Sequence, residues 1–184
     1  MKELLAEAKR RMDGALKALE ADFATVRTGR ASTHLLDKVV VDGYGSEMPL
    51  NQVATVNVPE ARLLTVQPFD KSLVKAIEKA LMEAQLGLTP SNDGQLIRLP
   101  IPPLTEERRK EYVKLIHKMA EDARISVRNV RRDILHDVKR QEKDGELSKD
   151  EVSRASDEVQ KVTDSEVKAI DEAMARKEAE ILEV

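Results

Sequence analysis

The sequence predicts an α+β protein of two domains. An antiparallel three-helix bundle is built from both chain ends, and a small α+β domain is inserted after the first helix. Three observations predict it. Residues 2–26 carry a narrow apolar seam that one helix cannot bury alone. Residues 35–102 switch to β-branched runs punctuated by glycine and proline. Residues 105–184 return to two long helical patterns.

The first helix is read from about Lys2 to Val26. Leu5, Ala8, Met12, Ala15, Leu19, Phe23 and Val26 recur every three or four positions, the spacing of a seam packed in a bundle. Thr28-Gly29 stops it, because glycine accepts the left-handed geometry that follows a helix end. In the insert, Leu35-Leu36 and Val39-Val40-Val41 read as strand, ending in a Gly43-Tyr44-Gly45 turn with Met48-Pro49-Leu50 as a short return. Thr55–Val58 and Leu63–Val66 read as two further strands separated by Pro59–Arg62. A helix is expected over Ser72–Leu86, with Leu73, Ile77, Ala80, Leu81 and Ala84 on its inner face and Gly87 as its stop. Ser91-Asn92-Asp93-Gly94 reads as a turn and Leu96–Leu99 as the last strand.

Pro100, Pro102 and Pro103 favour a stiff, extended link. Beyond it, Thr105 with Glu106 and Glu107 opens a helix that reads to about Lys143. Its apolar stripe is Ile116, Ala120, Ala123, Val127, Val130, Ile134 and Val138. Asp144–Leu147 is a turn, and Ser148 with Glu151 forms a capping box for the last helix. That helix turns Val152, Ala155, Val159, Val162, Ile170 and Ala173 inward and ends near Leu182. The expected domains are 1–29 with 105–184, and 31–103. Connectors near 28–32 and 100–104 form either a paired hinge or a fixed interface.

Composition narrows the function. The 184 residues carry 31 Lys+Arg against 34 Asp+Glu, so strong overall acidity or basicity is excluded. Aromatic residues are limited to Phe23, Tyr44, Phe69 and Tyr112, which argues against base-stacking platforms. With no cysteine, disulfides, thiol catalysis and Cys-ligated zinc are excluded. No apolar run reaches the length of a membrane span, and the acidic N-terminus lacks a signal-peptide stretch. A cytoplasmic protein without a membrane partner is expected. Charge is nevertheless uneven: residues 105–143 are net +4 and residues 144–184 net −7.

No catalytic set converges. G-x-S-x-G, Walker A and H-E-x-x-H patterns are all missing, and Gly43-Tyr44-Gly45 lacks the third glycine of a dinucleotide fingerprint. His34, His117 and His136 have no ligand partner at helical spacing, so no metal or cofactor is expected. One cluster rises above background. Taking Ile116 as zero and ~100° per residue, Arg124, Arg128, Arg131 and Arg132 fall near 80°, 120°, 60° and 160°, beside a stripe within ~40° of zero. Such a row suits several backbone phosphates, because the guanidinium is a forked, permanently charged donor. Asn129 lies among them, and Arg27 with Arg30 can add to the field. Pairing within the bundle is an equal alternative, since the last helix is acidic and Asp133 and Asp137 are close in sequence.

Five segments carry a sharper signal. They are Val26–Ser32, Pro68-Phe69-Asp70, Leu86–Pro90, Pro102–Lys110 and Val127–Asp133, in that order and at matching length. Together they resemble bacterial ribosome recycling factors, with a weaker match at Asp157–Lys161. The resemblance implies a three-helix bundle with a smaller β/α/β domain, and a monomeric translation factor that hydrolyses nothing. It implies binding to the post-termination ribosome, and subunit separation with elongation factor G and GTP. Arg128 and Arg131 carry over as the main contacts to large-subunit ribosomal RNA, supported by Arg132 and Arg124. Thr28, Gly29, Arg30, Ala31, Ser32, Pro102, Pro103 and Leu104 carry over as the interdomain hinge. The competing class is a helical adaptor that binds proteins through the acidic last helix.

Overall fold

The computed structural model describes residues 2–183. The predicted bundle segments begin and end at Met1 and Val184, which lie outside the described residues. The chain divides into two compact units. One joins the chain up to Arg27 with Glu106–Glu183; the other is Thr28–Thr105.

In the first unit, α1 (Lys2–Thr25), α4 (Glu106–Lys143) and α5 (Lys149–Leu182) pack against one another. Helix α4 has 38 residues, about 57 Å at the standard rise. Its buried side chains are the seven of the predicted stripe, without exception. Gly145, at φ +79°, turns the chain, and Ser148 and Glu151 form both bonds of the capping box, so α5 runs back along α4. The α5 seam departs from expectation: Val152 is half-buried, and Ile181 joins the buried residues. Val162 is half-buried and Thr163 takes the inner place, its hydroxyl donating to the Val159 carbonyl at 2.7 Å. That bond lets a polar side chain sit in an apolar seam beside the Met12 sulfur, 3.9 Å away.

In the second unit, β1 (Val40–Gly43) and β2 (Ser46–Pro49) form a hairpin, followed by the short helix α2 (Leu50–Val53). β3 (Ala54–Glu60), β4 (Leu63–Pro68), β5 (Ser91–Asn92) and β6 (Ile97–Pro100) form an antiparallel sheet in the order β3-β4-β6-β5. Helix α3 (Val74–Glu83) helps enclose a core of Val41, Leu64, Val66, Ile77, Leu81, Ile97 and Leu99.

Several local expectations are corrected here. Leu35-Leu36 is not strand but the end of a 3₁₀ turn, Thr33–Leu36. The Ser32 side chain caps this turn by accepting from the His34 N–H. The predicted helix over Ser72–Leu86 becomes a 3₁₀ turn, Lys71–Leu73, then α3. The helix ends four residues before Gly87, with Gln85 already at φ +50°. Ala84 is accordingly exposed, and Val74 is buried instead. Pro59 lies inside β3, where the register against β4 shifts between Asn57 and Glu60; a shifted register tolerates a residue without an N–H. Ser91-Asn92 pairs as strand rather than turn.

The connector residues are unequal. Ala31 donates its N–H to the Ala61 carbonyl at 2.7 Å, and Ser32 holds the cap just described, so both are tied into the second unit. Gly29 sits at φ +76°, and a β-carbon there would meet Leu104 Cγ at 3.4 Å.

Candidate nucleic-acid interface

Helix α4 sets the positions of the candidate arginines, and the stripe that buries its seam decides which way they point. Arg124 leaves the seam toward α5. Its Nε and Nη2 both donate to Asp171 Oδ1, at 2.9 and 2.6 Å, and Nη1 donates to Glu121 Oε2 at 3.0 Å. Its side chain is only 17% exposed, with Nη2 also 3.7 Å from the Met174 sulfur. Burial works against its charge, but the two carboxylates outweigh it and hold the guanidinium's pKa above its usual value. The expectation that Arg124 opens to a partner is therefore corrected. It stands only ~40° round the helix from the edge of the stripe, so α5 covers it, and Asp171 of α5 with Glu121 of α4 supplies its counter-charge.

Glu121 takes a second arginine as well. Arg128 Nη1 reaches its Oε1 at 3.2 Å, and the carboxyl is held below its usual range, first by the Arg124 hydrogen bond and then, against burial, by Arg128. Arg128 is half-exposed, so one edge of its guanidinium stays open. Arg131 has a different neighbour. Its Nη1 donates to the side-chain carbonyl of Gln160 at 3.3 Å, while Gln160 Nε2 donates to Asp164 Oδ1 at 2.8 Å. The acceptor-only Asp164 takes the amide NH₂, so the carbonyl is left facing Arg131. A neutral group orients this guanidinium without cancelling its charge.

Arg132 and Asn129 are exposed, and Arg132 has no carboxylate partner among the described residues. The two acids that sequence proximity offered are engaged elsewhere. Asp133 binds Arg11 of α1 at 2.8 Å, and Asp137 binds Arg140 at 3.0 Å. A shallow depression on this face is lined by Arg128, Asn129, Arg131, Arg132, Leu135, His136 and Lys139. His136 and Lys139 are new to the cluster. At ~100° per residue they fall on the same outward arc as Arg132, so the angle arithmetic that placed the arginines contained them too. Arg27 closes the bundle unit's first segment, and Arg30 belongs to the other unit; both are exposed.

Comparison with known proteins decides between readings. The family model described as Ribosome recycling factor matches residues 19–182. The chain belongs to the ribosome recycling factor family. A ribosome-recycling factor of Rubrobacter xylanophilus is 55% identical over 98% of this chain and 97% of its own length. One from Rhodospirillum centenum is 58% identical over 96% and 95%. Among solved structures, a solution structure of the ribosome recycling factor superposes with a TM-score of 0.76 at 42% identity, covering 100% of this chain and 97% of the other. A second has a TM-score of 0.63 at 46% identity, covering 98% of each chain. It is described as models for the Thermus thermophilus ribosome recycling factor and Escherichia coli elongation factor G bound to the E. coli post-termination complex. Ribosome recycling factors are non-enzymatic translation factors. The adaptor reading is not favoured: α5 spends Asp171 and Glu178 on Arg124 and His117 of α4. No helix among the described residues is long and apolar enough to cross a membrane.

Proposed function

We propose that this chain recycles ribosomes after termination, binding the post-termination complex and, with elongation factor G and GTP, separating the subunits. The observation that carries the mechanism is the outward arc of α4. There Arg131 and Arg132, with Asn129, keep donors open while Asp133 and Asp137 pair with Arg11 and Arg140, and Arg128, held by Glu121 through one nitrogen, keeps its other edge open. On this reading the arc grips backbone phosphates of large-subunit ribosomal RNA, Arg27 of the same unit adds to it, and Arg30 contributes a separate contact from the other unit. Arg124 then acts from inside, fixing α4 against α5.

The bundle serves as the stiff member. Its three helices share a continuous seam, and α4 and α5 are cross-linked by the Arg124–Asp171 and His117–Glu178 pairs. The chain passes from one unit to the other at Arg27–Thr28 and at Thr105–Glu106, and on this reading the adjoining segments 28–32 and 100–104 act as the hinge. Elongation factor G supplies the work from GTP hydrolysis; this chain is a cytoplasmic monomer that needs no cofactor. The test is polysome breakdown in a purified mixture with elongation factor G and GTP, with and without this chain. Breakdown that does not depend on the chain removes the reading.

A further inference from the structure

A groove of about 340 Å³ lies between α4 and α5. It shares Arg128 and Arg131 with the outward depression of α4, so these two arginines form the ridge between the two hollows. The remaining walls differ in charge. The outward depression adds Arg132 and Lys139 and contains no carboxylate. The groove is walled on α5 by Asp164 and Asp171, with the exposed Lys168 at its rim. Gln160, Asp164, Val167 and Asp171 reach it together because they follow at steps of four, three and four along one face of α5. Its deepest members are Thr163, which is buried, and Val167, which is half-buried. The Thr163 hydroxyl donates to the Val159 carbonyl, so the floor offers no free donor.

Each wall keeps hydrogen-bonding capacity that the protein itself does not use. Asp171 takes both Arg124 bonds on Oδ1, and Asp164 accepts from Gln160 on Oδ1. Among the described residues, both carboxylates therefore keep Oδ2 as an open acceptor. Across the groove, Arg128 bonds Glu121 and Arg131 bonds Gln160 through Nη1 alone, and each guanidinium carries further N–H donors. Donors thus face acceptors across an apolar floor. A phosphate suits the outward depression, where four cations meet no acid, and the two carboxylates repel it from the groove. The groove suits a flat group with acceptors on one edge and N–H donors on another.

We infer that the groove between α4 and α5 receives one unstacked guanine of the bound RNA, its O6 and N7 facing the Arg128–Arg131 wall and its N1 and N2 donors facing Asp164 and Asp171. Guanine is the base that offers O6 and N7 to an arginine fork and also carries two adjacent N–H donors that a carboxylate can accept. Such recognition needs no aromatic ring, because unstacked bases are also held by guanidinium planes and by hydrogen bonds to their edges. This rests on the RNA-binding reading proposed above and deepens it. Phosphates on the arc position the chain, and the groove reads one base.

The experiment measures binding to isolated large subunits, together with the reactivity of ribosomal guanines toward kethoxal, which attacks N1 and N2. Wild type is expected to protect a guanine that reacts in the free subunit. Asp164→Asn keeps the Gln160 bond through its amide oxygen but loses the open carboxylate oxygen. If only phosphates are held, removing a negative charge beside RNA tightens binding. Base reading predicts the opposite: a loss of about fivefold or more, with the salt slope unchanged and the guanine reactive again. Glu158→Gln makes the same charge change ~120° round α5 from Asp164 and should protect that guanine as wild type does. Both variants change exposed side chains, and circular dichroism checks the fold. Equal or tighter binding by Asp164→Asn overturns the inference, and so does a wild-type footprint with no newly protected guanine. If wild type binds no large subunits, the RNA reading and the inference fall together. If it binds and Asp164→Asn does not weaken it, the inference falls alone.

Discussion

Arg131 offers the sharpest test of the arginine arc, because its neighbour Gln160 can be changed without touching it. Three arginines with open donors, Arg128, Arg131 and Arg132, imply about three phosphate contacts, and each contributes about 0.7–0.9 to the slope of log affinity against log salt. Binding to isolated large subunits should then weaken about 20–40-fold between about 50 and 200 mM salt. Arg131→Ala removes one contact, and the same salt step should cost only about 7–12-fold. Gln160→Glu places a carboxylate where the neutral carbonyl now accepts from Arg131, so it should flatten the slope to a similar degree. Gln160→Ala leaves the guanidinium charged but less well oriented, and should keep the wild-type slope with a modest loss of affinity. The assay is equilibrium binding by filter retention or sedimentation across a salt series, with thermal unfolding as a fold control. An Arg131→Ala slope equal to wild type refutes the phosphate contact. Equal slopes for Gln160→Glu and Gln160→Ala refute the claim that Gln160 preserves charge.

Other perturbations address stability and motion. One Glu166 oxygen is buried without a hydrogen-bond partner. Its carboxyl is pushed above the usual range by burial first and by Asp13 second, with Lys9 opposing. Below the ordinary carboxylate pKa both folded and unfolded chains hold that proton, so Glu166 costs nothing; as pH rises past it, the unfolded chain ionises first and the bundle loses stability. Glu166→Gln should therefore be more stable near neutral pH by about 1 kcal/mol, with the gain vanishing toward pH ~4; a gain that is constant with pH contradicts this. Ile134, 1% exposed at the middle of the α4 seam, should cost about 2–5 kcal/mol on truncation to alanine, measured by denaturant unfolding of the full chain. Gly29→Val forces a β-branched residue to φ +76° against Leu104. It should impair subunit separation more than large-subunit binding, and equal losses in both assays would exclude a hinge role.

Much of the bundle was legible because one-dimensional periodicity is the whole of its physics. The α4 seam follows from counting apolar residues at helical spacing, and so does the long reach of the helix. The α5 seam was misread at Thr163 because an apolar count skips threonine, although its hydroxyl can return to the Val159 carbonyl and ride in a core. The insert was less legible. Leu35-Leu36 has strand composition but follows a serine able to cap a turn, and α3 stops before the residue that composition nominates. Both outcomes are set by local backbone bonds that residue type only weakly foretells. At the site, the arginine row was visible, but the sorting of its members was not. Arg124 and Arg131 stand closest to the seam, so α5 decides their partners, and those partners lie 47 and 29 residues away.

That sorting also explains why net charge misled in both directions. The segment charges, +4 over 105–143 and −7 over 144–184, suggest a basic helix opposed by an acidic one, with an acidic face left for other proteins. The structure instead spends acids of α5 next to the seam on Arg124 and on a hydrogen bond with His117, which lie between the helices. Asp133 is turned toward Arg11 of α1 and Asp137 toward Arg140. The His117–Glu178, Arg11–Asp133 and Arg140–Asp137 pairs are exposed or half-exposed contacts that each add little to stability, whereas Arg124 is largely covered. Their combined effect is spatial: acids are drawn away from Arg131 and Arg132, leaving a positive arc on a chain whose total charge is −3. A long-range field would attract little RNA to such a molecule, whereas close guanidinium–phosphate bonds still form once it is seated. The affinity of this chain for its RNA surface should therefore be governed by the rate of leaving more than the rate of arrival, and Arg131→Ala should raise dissociation while association stays near wild type.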